Sequence, residues 1–209
     1  MATDDSLLIE PHYFGSLEYY LLLDEADEIS WEVEEHFVKQ TFRNRTTILT
    51  SNGPQNLVVP VSYRNHMPLK DVRIDYAQSW VKDHWGAIYS AYGKAAYFEY
   101  YGPELQAILE NRHTYLVDLC QATVTLCLKY LHIDRSFDLT ETYEKKPNSP
   151  IRDFRGLIHP KKPYTQRSIY KPEEYFQNFG KEFVPCLSVL DLLFSMGDES
   201  VSILRKSKV

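Results

Sequence analysis

The sequence predicts an α/β fold: a mixed, mostly parallel sheet with one hairpin, flanked by helices, in a single domain over residues 1–209. Three observations carry this. The chain opens on the order strand, helix, strand. Two β-rich segments are then joined by the turn signal Asn52-Gly53-Pro54, and two long helical stretches follow, each with one apolar side.

Residues 7–10 are a short apolar run halted by Pro11, and Ser16 opens residues 17–23, good helix formers without a breaker. Residues 27–34 alternate, with Ile29, Trp31 and Val33 to one side and Glu32 and Glu34 to the other, the period of a half-buried strand. That order implies a parallel pair with a crossover helix. Residues 41–50 and 57–62 read as the arms of the hairpin. Residues 72–76 suggest a short strand. Ser79 can cap a helix over residues 80–92 that sets Val81, Trp85, Ile88 and Tyr92 on one face. Pro103 opens a helical segment, interrupted near His113, that ends about Leu131 with Leu105, Leu109, Leu116, Leu119, Cys120, Thr123 and Cys127 on its apolar side. Residues 136–143 alternate as a late strand. A last helix over 188–194 stops near Gly197, and residues 205–209 are expected to fray. Within the domain, residues 144–172 hold eight Lys or Arg against two acids, with five prolines, and predict a basic, irregular loop. Connections of this length are either functional or disordered.

A formal charge of −6 excludes general nucleic-acid binding, which needs a concentrated basic face. No run approaches the ~18 apolar residues of a membrane span, and residues 1–10 are acidic where a signal peptide is basic and then apolar, so a cytoplasmic protein without membrane insertion is expected. Three cysteines without Cys-x-x-Cys spacing read as reduced, buried residues. The sixteen tyrosines suit either a partly wet core or a cleft that stacks on a ring-shaped ligand. Oligomeric state is left open.

Gly-x-Gly-x-x-Gly, a Walker-type loop, Gly-x-Ser-x-Gly and His-Glu-x-x-His are all missing from the sequence, so no cofactor and no metal are expected. The remaining chemistry lies at predicted strand ends. His12, Tyr13 and Phe14 fall between the first strand and helix, where α/β sheets bind ligands, and His12 is either an acid–base group or a loop histidine facing solvent. In an extended segment, Lys39, Thr41, Arg43 and Arg45 share one side, opposite Phe42 and Asn44, and with His36 nearby they form either a phosphate or carboxylate grip or a solvated charged hairpin. His84, one turn after Trp80 and beside Trp85 and Tyr92, is either a base or a packing residue. Arg152, Asp153, Arg155, His159 and Tyr164 in the basic loop either close over an anionic ligand or belong to a mobile Lys- and Pro-rich loop without such a role. His12, His36 and His84 are the catalytic candidates, and a small anionic molecule such as a nucleotide sugar is the expected partner.

The order Pro11, Tyr13-Phe14, Tyr19-Tyr20, then Lys39, Asn44-Arg45, Val59-Pro60-Val61, Trp80, His84, Ile88, Ala91-Tyr92 and Ala96-Tyr97-Phe98 resembles the WbqC-like family, over about residues 9–133. The ending, with Asp153-Phe154-Arg155, Ile158-His159-Pro160 and Tyr175-Phe176-Gln177, is similar to the version carried by Bacteroidetes. Many members have Gln before the first Pro and a Pro after the aromatic pair; here Glu10 and Gly15 stand there, and Glu10 changes what is bound if that Gln contacts substrate. The resemblance implies a role in O-antigen or other surface-polysaccharide synthesis and suggests an aminoacyl transferase, with glycine as the group moved. In that reading Lys39, Arg43 and Arg45 bind the anion, Asn44 orients it, and His36 or His84 is the base. A non-catalytic binding or scaffold protein and a nucleotidyl-transfer enzyme are the alternatives.

Overall fold

The computed structural model describes residues 6–147 and 150–209. Strand β1 (Ser6–Ile9) leads through a fully buried loop into helix α1 (Leu17–Glu25), which returns the chain so that β2 (Glu28–Trp31) pairs parallel with β1, Leu7 opposite Ile29 and Ile9 opposite Trp31. All of residues 17–23 in α1 are buried, Glu18 included, so this helix has no solvent face and α6, introduced below, packs against it.

The hairpin is shifted from its expected bounds. Its strands are β3 (Arg45–Thr50) and β4 (Gly53–Val58), joined by a turn in which Gly53 takes the left-handed φ of 98° that glycine tolerates. Residues 35–44 are irregular, because Gln40 has a φ of 61° and breaks the alternation. Pro60, with no N–H to donate, separates β4 from β5 (Val61–Ser62), which pairs instead with β6 (Arg73–Ile74).

Helix α2 (Trp80–Tyr92) occupies the expected residues, and α3 (Phe98–Glu110) and α4 (Leu116–Tyr130) are separated at 111–115 around His113. Helix α3 starts five residues before Pro103. The Phe98 ring docks on Phe194 and Trp85, at 5.1 and 5.7 Å, and this contact sets the start of the helix. Two short strands complete the main sheet: β7 (Asp138–Leu139) pairs with β2 and β8 (Arg152–Asp153) with β1, giving the all-parallel order β7-β2-β1-β8. The basic segment therefore contributes an edge strand, and the hairpin stands apart as its own two-stranded sheet. Residues 148 and 149 of that segment lie outside the described residues.

Helices α5 (Val189–Met196) and α6 (Ser200–Lys206) close the fold, α5 packing against α4. The expected fraying of 205–209 is not seen at Ser207. That residue is fully buried, and its carbonyl accepts from the Lys171 N–H at 2.8 Å. Much of the tyrosine surplus goes into the core, where Tyr13, Tyr19, Tyr20 and Tyr92 are all buried. Among the described residues, no helix is long and apolar enough to cross a membrane.

Candidate functional site

Each of the four parallel strands delivers a polar side chain one or two residues past its carboxyl end: Glu10 after β1, Glu32 after β2, Thr140 after β7 and Arg155 after β8. At this edge open α/β sheets present loops and helix N-termini to ligands. Glu32 is a buried hub. Its Oε1 accepts from Thr140 Oγ1 at 2.9 Å and from the N–H groups of Glu34 and Glu35 at 2.9 and 3.2 Å, while Oε2 takes Arg155 Nη1 at 2.7 Å. Arg155 also holds Asp153 Oδ2 through Nη2 at 2.8 Å. Beside it, Glu10 Oε2 accepts the Gly156 N–H at 2.9 Å, and Glu10 Oε1 lies 3.5 Å from both Arg43 Nη2 and His12 Nε2. Arg43 in turn binds Glu35 through Nε at 2.9 Å and through Nη2.

Burial pushes the Glu10 carboxyl up, but Arg43, His12 and the Gly156 N–H together outweigh it and hold the group at about 2. A carboxylate held below its unfolded value of 4.5 adds stability that is complete above pH 4.5 and is lost as pH falls toward 2. At about 1.4 kcal/mol per pH unit, this amounts to about 3 kcal/mol. Urea unfolding of the protein and of Glu10→Gln between pH 6 and 2 should show their stability difference shrinking by roughly that amount. A constant difference across the range would mean that Glu10 is not held ionised by its neighbours.

His12 is fully buried and stacked on Tyr19 at 4.2 Å, and the main chain at Gly15 approaches Tyr19 so closely that an added Cβ would stand 2.6 Å from the ring. Neither ring nitrogen has a hydrogen-bond partner; Nε2 lies 3.5 Å from Glu10 Oε1, beyond the usual hydrogen-bond distance. Burial lowers the pKa of His12 more strongly than Glu10 raises it, so the imidazole is neutral at physiological pH. The ring also meets Phe42, tilted, at 5.6 Å.

Phe42 is also a wall of a cavity of about 280 Å³ at the start of α1, lined by Ser16, Arg45, His159, Lys162 and Arg167 among others. The roof comes from the basic segment, tied down by Arg155 on Glu32 at one end and by Arg167 on Glu18 at the other, where Nε and Nη2 each reach a carboxylate oxygen at 2.6 Å. His159 is lowered by burial, then by Lys162, Lys161 and Arg43. Cys186 also lines the cavity, but burial pushes its thiol up to about 12, which leaves it protonated and a poor nucleophile.

Of the residues singled out by sequence, His12, Phe42, Arg43, Arg45, Asp153, Arg155, His159 and Tyr164 gather at this edge or its cavity. The remaining catalytic and binding candidates do not. His84 is buried, with Nδ1 at 3.0 Å from the Tyr13 hydroxyl and Nε2 at 3.2 Å from the Val58 carbonyl, and burial pushes it down to about 4. Tyr13 and Phe14 are core residues. Asn44 donates Nδ2 to the Val59 carbonyl at 2.8 Å, Trp85 stacks on Phe98, and the Tyr92 hydroxyl donates to Asp191 at 3.0 Å. Lys39 is exposed. His36 is exposed too and faces His66, Nδ1 to Nδ1, at 3.3 Å. The expected row of Lys39, Arg43 and Arg45 does not form, since 35–44 is not extended and Arg43 turns inward to Glu35 and Glu10. A solvent-facing loop at His12 is likewise ruled out by its burial. Among the described residues, no three His, Cys, Asp or Glu are placed to share a metal ion. Sequence reasoning missed Ser16, Glu18, Glu32, Lys162 and Arg167. The available signal was an acidic or polar residue directly after an apolar run, as at Glu10 and Glu32.

Fold and site together define an α/β protein with a charge-lined site at the carboxyl edge of a parallel sheet. The chain belongs to the WbqC-like protein family, whose model matches residues 10–155, from Glu10 through Arg155. Over nearly all its length it is similar to the uncharacterized protein Rv1507c of Mycobacterium tuberculosis, 26% identical over 224 residues that cover 95% of this chain and 96% of that one. No solved structure matches it.

Proposed function

We propose that this protein works in the cytoplasm, in surface-polysaccharide synthesis of the O-antigen type, as an acyl or aminoacyl transferase whose acceptor is a nucleotide-linked amino sugar. The observation that carries this reading is the cavity beside α1, where cationic side chains from the hairpin and the basic segment meet at the carboxyl edge of the sheet, with a neutral histidine behind one wall. The pathway and the glycyl group rest on the family resemblance. In the reaction, the acceptor amine attacks the carbonyl of an activated donor, a C–N bond forms, and the bond to the leaving group breaks. His12 takes the amine proton and returns it to the leaving group, which requires the Phe42 ring to move aside.

A second reading, a binding protein of the same pathway, is favoured by the complete enclosure of His12. Incubation of the purified protein with amino-sugar nucleotides and glycyl or acyl donors, followed by mass spectrometry, separates the two. A product heavier by the acyl group is expected. Ligand binding without a mass gain in any pairing would leave the binding reading in place.

A further inference from the structure

Two donors in the cavity beside α1 have nothing to donate to. Ser16 has the extended backbone of a helix N-cap, φ −71° and ψ 166°, yet its hydroxyl caps no N–H group. The residue is 4% exposed, lines the cavity, and its Oγ has no hydrogen-bond partner. Arg45, at the first position of β3, also lines the cavity, and its Nε is shielded from solvent and equally without a partner. A guanidinium N–H can only donate, and buried donors left unmatched are costly, so the missing partner is an acceptor.

The charge balance narrows it further. Glu18 is the only acid among the lining residues, and it is neutralised by Arg167 through two hydrogen bonds of 2.6 Å. Arg45 and Lys162 remain as uncancelled positive charges, with His159 beside them. The first turn of α1 adds the partial positive charge of a helix N-terminus. Such a site suits a small dianion with several acceptor oxygens better than a carboxylate, which has one charge and two oxygens.

We propose that the cavity is a phosphate site, in which phosphoryl oxygens take the Ser16 hydroxyl and Arg45 Nε, with Lys162 as counter-charge and His159, whose Nδ1 accepts from the Lys161 N–H, as a further donor through Nε2. The proposal rests on the reading that the cavity holds an anionic ligand, but not on group transfer. It makes phosphate alone, without sugar or base, sufficient to bind.

The test uses the full-length protein, with inorganic phosphate and pyrophosphate as probes and acetate as control at matched ionic strength, read by calorimetry and thermal shift. Saturable binding of both phosphates is expected, and none of acetate. Arg45→Gln should weaken it tenfold or more, and Ser16→Ala several-fold. Lys146→Gln, which alters the same basic segment away from the cavity, should leave it unchanged. Because the Ser16 hydroxyl has no partner, Ser16→Ala should keep or raise the Tm of the ligand-free protein while lowering affinity, a combination that a packing role would not give. Absence of saturable binding, an equal response to acetate, or indifference to both Ser16→Ala and Arg45→Gln would overturn the proposal. Transfer activity that phosphate does not inhibit would remove the phosphate site and leave the transferase standing. Phosphate binding without transfer would do the reverse.

Discussion

Arg43→Ala should cost about 3–5 kcal/mol of stability, the scale found when one partner of a buried ion pair is removed. Arg43 is 3% exposed and stands between two carboxylates, Glu10 and Glu35. Without the guanidinium, Glu10 keeps its burial penalty and loses the strongest influence holding it down, and Glu35, already raised by burial, is raised further. For a chain of this size the loss corresponds to a fall in Tm on the order of 10 °C. The sign with pH is also determined. In the variant both carboxyls prefer the protonated form, so the deficit against the unaltered protein should narrow as pH falls from 7 to 5. Urea unfolding at the two pH values measures this, and Arg43→Lys should restore part of the loss by returning the charge without the two-pronged grip. A deficit under 1 kcal/mol, or one that widens in acid, would show that the carboxylates are not held by this residue.

His12→Gln should reduce turnover by 10²- to 10⁴-fold, the range for loss of a positioned proton carrier, with phosphate affinity nearly unchanged. A neutral imidazole with both nitrogens unpaired is ready to accept a proton, and its stacking on Tyr19 fixes the ring plane. Glutamine retains polar bulk, so the buried site is not emptied. Since burial lowers the His12 pKa, the acid limb of the activity profile should lie below pH 6.5, with activity lost as pH falls through it. The variant should lose that limb along with its rate. Full turnover in His12→Gln would falsify the assignment, and equal losses of binding and turnover would make His12 a binding residue.

The parallel β1-α1-β2 unit, helix α2 and the break near His113 were legible because apolar period and breakers act over a few residues. The irregular run before the hairpin was not, because Gln40 adopts a backbone conformation that its identity does not demand. The two-residue strands β7 and β8 were too short to carry a period, although the first fell inside the expected late strand. The early start of α3 came from the docking of Phe98 on Phe194, a contact between residues far apart in the chain.

The candidate site divides along the same line. A strand end marked His12 and the basic composition of residues 144–172 marked Arg155, so both could be named from sequence, while the role of Arg43 as a buried counter-ion could not. Glu32 meets Arg155 across 123 residues and Glu18 meets Arg167 across 149. Local propensity and hydrophobic period, by themselves, determined the class of fold, the crossover unit and the main helices. Which charges are buried, which pair, and which donors are left facing a cavity was decided only by tertiary packing, because desolvation and Coulomb attraction depend on distance and burial in space and not on separation along the chain.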